Sequence, residues 1–513
     1  MHFSTILQAA VAGLVGLGAS PVWAAVAARQ SSGSIALVQG EPLFTFEYST
    51  DAPSSTNWVG LYLASGGGPE NGEYISPSLL WEYAPETSGT IHLSTDNLQP
   101  GSYRVFFLAN DGYAWLAEPV DVELPGQTGP PSFIVETFTT HNARQGDEFA
   151  ATIGGLLTFP EMTDVTFHVV GNDTTGWVNL ASNGVISGTP GSSAQQTQLT
   201  VQAVSSAGDV SEPLQVTIPV RRSGQTLVRR LGVMSFNLWH GGTRVNDYHV
   251  KQVRYIAESG ADIIGLQESS GGHATRLGNA LGWHSWQGRD VSFLSRYPIV
   301  ATSEDIQYVA SARIALDGEA SQVSVWNVHL GYTPYGPYDF CFDQMSVERV
   351  MEREAQSGRT PQIINTMALM EEDLANSNTT PVILLGDFNA PSHLDYTEGL
   401  REKNCGYANI DWPTSIYPTD AGMIDTFRVA HPDPAAEQGI TWSPIFLTNQ
   451  GRPEPLDRID LIYFKGRMSV ISSDDQVVGN PTPMPNHEDN EWTSDHAVVF
   501  TEFDVQGSCI QRP

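Results

Sequence analysis

Basic residues are scarce in this chain. The 513 residues include 25 Lys and Arg against 57 Asp and Glu, which gives a formal net charge of −32 at pH 7 and a pI near 4.5. The negative electrostatic potential of such a protein repels polyanions over most of its surface. The composition therefore argues against tight, non-specific binding of nucleic acid without cations, although a bound metal ion can still supply positive charge at one site.

Long apolar runs are also rare. The stretch Gln8–Ala19 is followed by Pro21 and by Val22-Trp23-Ala24, a small-x-Ala pattern. We predict a secretory signal peptide over residues 1–24; a buried N-terminal helix is the alternative, because no Lys or Arg precedes the run. No later stretch reaches the ~18 apolar residues of a membrane span. We therefore expect a secreted, extracellular protein.

Cysteine is represented by Cys341, Cys405 and Cys509 alone. In an oxidising compartment this number indicates one disulfide and one remaining thiol, and the sequence does not fix the pairing. Two sequons, at Asn172 and Asn378, agree with export and are candidate glycan sites.

The length allows about three domains. Residues 33–125 show short apolar or alternating segments between Pro and Gly clusters, which predicts an all-β unit. The stretch Asn57–Tyr62 (NWVGLY) resembles the opening strand of small immunoglobulin-like sandwiches. Residues 131–221 resemble immunoglobulin- or cadherin-like modules of extracellular proteins. With no titratable cluster in either, we interpret both as spacers or adhesion modules, with cell-surface or glycan contact as a further role.

The sequence pattern changes beyond residue 229. From there to about residue 505, short apolar runs typical of strands alternate with segments of helical periodicity. The sequence PVILLGDFNAP (Pro381–Pro391) predicts a strand buried on both faces, followed by a turn at Gly386. Asp387 and Asn389 then come at the carboxyl end of the strand, where open sheets place their ligands. The alternative for this stretch alone is a capped turn.

Other polar residues occupy equivalent positions. Asn237, Glu268 and His329 each follow an apolar strand, whereas Asp495 and His496 precede the last strand. If that last strand runs antiparallel to its neighbours, its amino end lies at the same sheet edge, with Asp460 in the adjoining strand within reach of His496. Taken singly, each of these residues is as well explained by a structural role; together they predict one site.

Seven short motifs occur in order over residues 231–505. They are SFNLW (Ser235–Trp239), LQE (Leu266–Glu268), SRYPI (Ser295–Ile299), NVHL (Asn327–Leu330), GDFN (Gly386–Asn389), RIDLIYF (Arg458–Phe464) and SDH (Ser494–His496). The set resembles the endonuclease/exonuclease/phosphatase superfamily, which includes deoxyribonuclease I, abasic-site endonucleases and sphingomyelinases. The resemblance implies a four-layer α/β sandwich behind two immunoglobulin-like β-sandwiches.

The resemblance also implies a metal-assisted hydrolysis of phosphoric esters. Glu268 would anchor Mg²⁺, with Mn²⁺ or Ca²⁺ as alternatives, and Asn237 and Asp495 would share its neighbourhood. Asp387 would orient or deprotonate the attacking water while Asn389 bonds a phosphoryl oxygen.

Two histidines complete the implied site. His496, positioned by Asp460, would act as a general base or as a cation beside the phosphate. His329 would face the phosphate or the leaving oxygen, and a histidine there resembles the deoxyribonuclease- and sphingomyelinase-like members.

The motifs do not identify the substrate. An insertion over Gly331–Thr360 carries aromatic residues that either stack on a substrate or pack on one another. Trp442 is a further candidate for a residue that lines the site. Because no basic stripe accompanies these aromatics, a long polynucleotide groove is not supported. Cys341–Cys405 is the favoured disulfide, since both cysteines would lie on loops near this site.

We therefore predict a phosphodiesterase acting on nucleic acid, a phospholipid headgroup or a small phosphodiester. The rival class is an adhesion or glycan-binding protein that has lost catalysis.

Overall fold

A computed structural model describes residues 33–38, 42–95, 98, 101–124, 130–158, 165–171 and 176–505. The predicted signal peptide, the sequon at Asn172 and Cys509 lie outside these residues. None of the described helices has the length and apolar character needed to cross a membrane.

Two β-sheets face each other in the part of the chain up to residue 124, which we call the first β-unit. Side chains from both sheets, such as Phe46 and Phe107, form one core because alternate residues of each strand point inward. The arrangement is compatible with the predicted immunoglobulin-like sandwich. Its sheets consist of Gly33–Leu37, Thr45–Thr50 and Ser88–His92, and of Leu80–Tyr83, Trp58–Leu63, Gly101–Leu108 and Val120–Leu124.

A second β-unit follows, and its core continues into the next part of the chain. Phe167 and Val201 belong to the same apolar cluster as Val253 and Leu277 of the helices beyond it. The strands are Phe149–Thr152, Val185–Gly188 and Val178–Leu180 in one sheet, Val165–Val169, Thr197–Ser205, Leu214–Ile218 and Thr137–Thr139 in another, and the pair Val220–Arg221 with Ala143–Arg144. The limits 33–125, 131–221 and 229–505 stay predictions.

Two six-stranded mixed sheets form the remainder. In spatial order the first consists of His284–Trp286, Ser292–Ser295, Ile263–Gln267, Arg230–Asn237, Val498–Asp504 and Ser469–Gln476; the second consists of Ile299–Thr302, Val309–Asp317, Ser321–His329, Val382–Asp387, Asp460–Lys465 and Ile424–Asp425. A short pair, Thr448–Asn449 with Arg452–Pro453, lies outside both.

The central strand Val382–Asp387 is buried on both faces, as predicted. Ile383 and Leu385 join the core between the two sheets, whereas Val382 and Leu384 pack beneath the helices on the outer face. Helices cover the outer face of the other sheet in the same way. The order helices, sheet, sheet, helices is the predicted four-layer α/β sandwich.

The helices are short, and two of the described α-helices begin with glycine or proline. The α-helices are Tyr248–Glu258, His273–Leu281, Gly336–Cys341, Val347–Gln356, Arg359–Leu369, Glu371–Ala375, Pro413–Asp420 and Thr426–Ala430, and the 3₁₀ turns are His240–Gly242, His393–Asp395 and Glu398–Leu400. The insertion Gly331–Thr360 contains two of these helices, Gly336–Cys341 and Val347–Gln356, which the sequence analysis did not predict. The buried ion pair Arg359–Glu354 (2.5 Å) and the bond from Arg359 to Gly331 O (2.9 Å) close it.

The favoured disulfide is present. Cys341, at the end of the helix Gly336–Cys341, is bonded to Cys405, with a Cα–Cα distance of 5.1 Å. The bond joins the insertion to the segment that follows the central strand.

Strand direction brings the polar strand ends together. Val498–Asp504 runs antiparallel to Arg230–Asn237, as predicted. Asp460–Lys465 is antiparallel to the central strand, with Asp460 opposite Asp387. The prediction that Asp460 adjoins the last strand is wrong, because the two strands belong to different sheets. Asp460 instead reaches His496 across the sandwich.

Candidate active site

All eight predicted site residues meet at one edge of the two facing sheets. Six of them line a cavity of about 690 Å³: Glu268, His329, Asp387, Asn389, Asp495 and His496. Asn237 and Asp460 lie directly behind it and are fully buried.

Asp387 is the centre of the site. Its Oδ1 accepts the backbone N–H of Asn389 (2.8 Å), and its Oδ2 accepts the side-chain N–H of Asn237 (3.1 Å). The same Oδ2 lies 3.7 Å from Nε2 of His329 and 3.7 Å from Nε2 of His496. One carboxylate oxygen is thus flanked by two imidazoles.

The backbone allows this placement through Gly386. Its φ of 144° is unfavourable for other residues, and a Cβ there would lie 2.0 Å from the carbonyl oxygen of Val328. Glu268 and Asn389 adopt φ values of 52° and 50°, which are uncommon for residues other than glycine. Such strain concentrates at functional sites.

Burial raises the pKa of Asp387 to about 6. The positive charges of His496 and His329 oppose this rise and the negative charge of Asp460 adds to it. A carboxyl group that titrates here is suited to accept a proton near neutral pH.

His496 is held by a carboxylate. Its Nδ1 lies 2.8 Å from Oδ2 of Asp460, and Nε2 is left facing Asp387. Burial opposes protonation of His496, but Asp460 and Asp387 outweigh it and hold the pKa well above its usual value. The geometry therefore favours the cationic form of His496 over a general base.

His329 is held in the same way by a residue that the sequence analysis missed. Its Nδ1 lies 2.6 Å from Oδ2 of Asp290, which also lines the cavity. Burial opposes protonation here too, yet Asp290, Asp387 and Glu268 raise the pKa of His329 to about 10. His329 and His496 thus each have their own carboxylate partner.

Glu268 lies beside the turn His240–Gly242. Its Oε2 accepts the backbone N–H of His240 (2.8 Å). Burial disfavours its charged form, but the positive charges of His329 and His240 and this hydrogen bond outweigh burial and lower the pKa of Glu268. Asn237 directs its amide N–H, not its oxygen, towards Glu268 (3.4 Å) and Asp387. In this orientation Asn237 donates to both carboxylates, and its assignment to the metal site stays a prediction.

The carboxylates of the site are suited to bind a divalent cation that prefers oxygen ligands. Oδ1 of Asp495 is buried without a hydrogen-bond partner among the described residues. Burial raises the pKa of Asp495 to about 7; His496 opposes this, and the charges of Glu268 and Asp387 reinforce it. A cation between Glu268 and Asp495 would relieve this repulsion, as hard oxygen ligands do for Mg²⁺.

A second group also has its ligand atoms within 4.8 Å of one another: Asp387, Asp460 and His496. Because Asp460 already binds His496 through Nδ1, and Mg²⁺ prefers oxygen to imidazole nitrogen, Glu268 and Asp495 are the better pair.

Both alternatives for the aromatic insertion are realised in part. Phe340 is buried against Tyr407 and Trp412, so this half packs on itself. Tyr332, Tyr335 and Tyr338 line the cavity together with Trp442, whose ring lies 5.0 Å from that of His496.

The cavity has a further wall from the first β-unit. Tyr62, Tyr74 and Ser78 line it beside the residues already described. The first β-unit therefore contributes to the cavity, and its interpretation as a spacer or adhesion module stays a prediction. Arg244 also lines the cavity, and among the described residues it has no ion-pair partner. No sequence pattern marks these residues, because contacts between separate folding units have no periodicity.

Two facing mixed sheets with carboxylate, amide and imidazole groups at one shared edge define an α/β-sandwich phosphoesterase. The chain belongs to the Endonuclease/Exonuclease/phosphatase family, whose model matches residues 234–496, just over half of the chain.

Known proteins resemble about half of the chain. An uncharacterized protein of Caenorhabditis elegans is 30% identical over 293 residues, which cover 53% of this chain and 90% of that protein. The crystal structure of truncated C. elegans TDP2 is 16% identical, covers 54% of this chain and 98% of that one, and has a TM-score of 0.36. That of D. rerio TDP2 complexed with a single-strand DNA product is 14% identical, covers 54% and 99%, and has a TM-score of 0.36.

Proposed function

We propose that this protein is a secreted, divalent-metal-dependent phosphodiesterase. The observation that carries the proposal is the position of Asp387, whose Oδ2 lies 3.7 Å from an imidazole nitrogen on either side at the floor of a cavity. An in-line displacement at phosphorus needs an oriented water, relief of charge on the phosphoryl oxygens and a stabilised leaving oxygen.

The residues divide these tasks. Asp387, fixed by Asn237 and the N–H of Asn389, orients the attacking water and accepts its proton. His496 and His329 each present Nε2 towards the phosphoryl group, because Asp460 and Asp290 occupy the other ring nitrogen. A divalent cation held by Glu268 and Asp495 supplies, when bound, charge neutralisation at the phosphoryl and leaving oxygens.

A diester is favoured over a monoester by charge. A phosphomonoester dianion would add two negative charges to a site that already contains five carboxyl groups: Glu268, Asp290, Asp387, Asp460 and Asp495. A diester adds one. Extracellular nucleic acid and phospholipid headgroups remain the candidate natural diesters. The predicted signal peptide and the disulfide support secretion.

The test compares bis(p-nitrophenyl) phosphate with p-nitrophenyl phosphate as substrates of the full chain. We expect Mg²⁺-supported release of p-nitrophenol that is faster from the diester, that EDTA abolishes and that added Mg²⁺ restores. Asp387→Asn, which keeps the shape of the side chain, should reduce kcat by a factor on the order of 10² or more.

Two results would contradict the proposal: turnover that survives EDTA, or full activity in a folded Asp387→Asn variant. Plasmid DNA and sphingomyelin assays then separate the two natural substrate classes. Inactivity on every ester, with retained binding of glycan, would support the rival view of an adhesion protein that has lost catalysis.

A further inference from the structure

The first β-unit is fixed to the loop that directly follows Glu268. The turn Ser65–Gly68 meets the turn Ser270–Gly272, with Ser65 Oγ donating to Gly272 O (3.3 Å). A Cβ on Gly67 would lie 2.1 Å from Cα of Gly271, and a Cβ on Gly272 would lie 2.7 Å from the carbonyl carbon of Ser65. Glycine in both turns lets the two backbones touch, which no larger residue permits.

This contact brings one face of the first β-unit over the site. Tyr74 is half-exposed at the cavity, and its ring is supported by Tyr113 at 5.4 Å, which in turn meets Trp58 at 6.0 Å. Burial raises the pKa of Tyr74, and the charges of Tyr113 and Asp290 add to it. Tyr74 therefore lies close enough to the partner of His329 for their charges to interact.

Aromatic residues from other parts of the chain line the cavity as well. Tyr332, Tyr338 and Trp442 lie outside the first β-unit and contribute to the same cavity. A cavity of about 690 Å³ is in the size range of small-molecule sites. Aromatic walls suit a planar or apolar organic group. Arg244, unpaired among the described residues, is a cation available to an anionic substrate.

We propose that the first β-unit is part of the active site, and that with the insertion it restricts the enzyme to small phosphodiesters carrying a planar or apolar organic group. In this arrangement Tyr74 is a specificity-determining residue that contacts the organic group, while the acidic floor handles the phosphoryl group. The inference rests on the proposed function for its substrate class, and a continuous duplex is excluded by the wall.

The test measures binding rather than turnover. Titration calorimetry of the full chain with Mg²⁺ uses two monoanionic probes whose P–C bonds are not hydrolysed, methyl(phenyl)phosphinate and dimethylphosphinate, because a diester also carries one negative charge. Tyr74→Ala should weaken the binding of methyl(phenyl)phosphinate about five- to tenfold and leave the binding of dimethylphosphinate unchanged, since the lost contact is aromatic. Tyr74→Phe should bind both probes as the wild type does.

Tyr83→Ala is the matched control, because Tyr83 is an exposed tyrosine of the same β-unit that does not line the cavity. We expect Tyr83→Ala to bind both probes with the affinity of the wild type. Closed circular plasmid should fail to displace methyl(phenyl)phosphinate from the wild type. Unchanged affinity in Tyr74→Ala, equal loss of both probes, absence of methyl(phenyl)phosphinate binding, or displacement by plasmid would each overturn the inference. A chain that binds methyl(phenyl)phosphinate through Tyr74 but hydrolyses no ester would refute the proposed function alone.

Discussion

Single residues of the site follow one geometric rule. A polar residue at the carboxyl end of one strand, or at the amino end of an antiparallel neighbour, lies at the same sheet edge. The rule predicted Asp387 and Asp495, and it applies equally to Asp290, which precedes Ser292–Ser295, a strand antiparallel to Ile263–Gln267. Asp290 was missed because the sequence does not reveal the direction of this strand.

The contribution of Asp290 is measurable. Asp290→Asn leaves the side-chain shape but removes the charge that holds His329, so we expect kcat for bis(p-nitrophenyl) phosphate to fall by a factor on the order of 10², with a smaller change in KM. Asp290 acts through His329 and is a positioning residue. A purely structural role would lower the thermal midpoint instead of kcat.

Asp305→Asn serves as the control for this variant. Asp305 binds Arg289, the neighbour of Asp290, but does not line the cavity. Its kcat should equal that of the wild type. Equal kcat in Asp290→Asn and the wild type would remove Asp290 from the mechanism.

At the scale of elements, the strands of the sandwich were predicted better than the insertion. Val382–Asp387 was predicted because a continuous run of apolar residues is a strong local signal. The helices within Gly331–Thr360 were missed, since their order depends on contacts between distant residues, namely the bond from Arg359 to Gly331 O and the disulfide.

The disulfide should therefore stabilise the insertion. It closes a loop with a sequence separation of 64, for which the chain-entropy model gives roughly 4 kcal/mol. We expect the double variant Cys341→Ser, Cys405→Ser to lose a free energy of unfolding of that order, measured by urea denaturation. Dithiothreitol should shift the midpoint of the wild type but not that of the variant. Coinciding midpoints would show that the buried ion pair alone holds the insertion.

At the scale of the whole molecule, the contacts between units were not predictable. The second β-unit shares one apolar core with the helices of the sandwich, and the first β-unit meets the loop after Glu268 through glycine turns. In the sequence, apolar residues at such a boundary cannot be distinguished from the core residues of a single unit. The consequence is functional, because the cavity is complete only when the first β-unit is in place.

The boundary of the second β-unit contains a titratable group. His141 lies 4.8 Å from the ring of Phe149 and 6.4 Å from that of Tyr297 in the sandwich, and Arg296 of the sandwich donates to Thr139 O (2.8 Å) beside it. Burial lowers the pKa of His141 from 6.5 to about 4, and the positive charges of His284 and Arg296 add to this effect. Folding thus favours the neutral ring.

We expect His141 to make the protein less stable at acid pH. Because the folded pKa lies below the unfolded value, the contribution of His141 to stability is fully present above pH 6.5 and is lost as the pH falls towards 4. The loss amounts to at most about 3 kcal/mol. His141→Gln, which cannot be protonated, should lose less stability between pH 7 and pH 4.5 than the wild type, measured as the free energy of unfolding in urea. Parallel losses in the two proteins would mean that carboxyl groups alone account for the acid sensitivity, and that the boundary does not depend on the charge of His141.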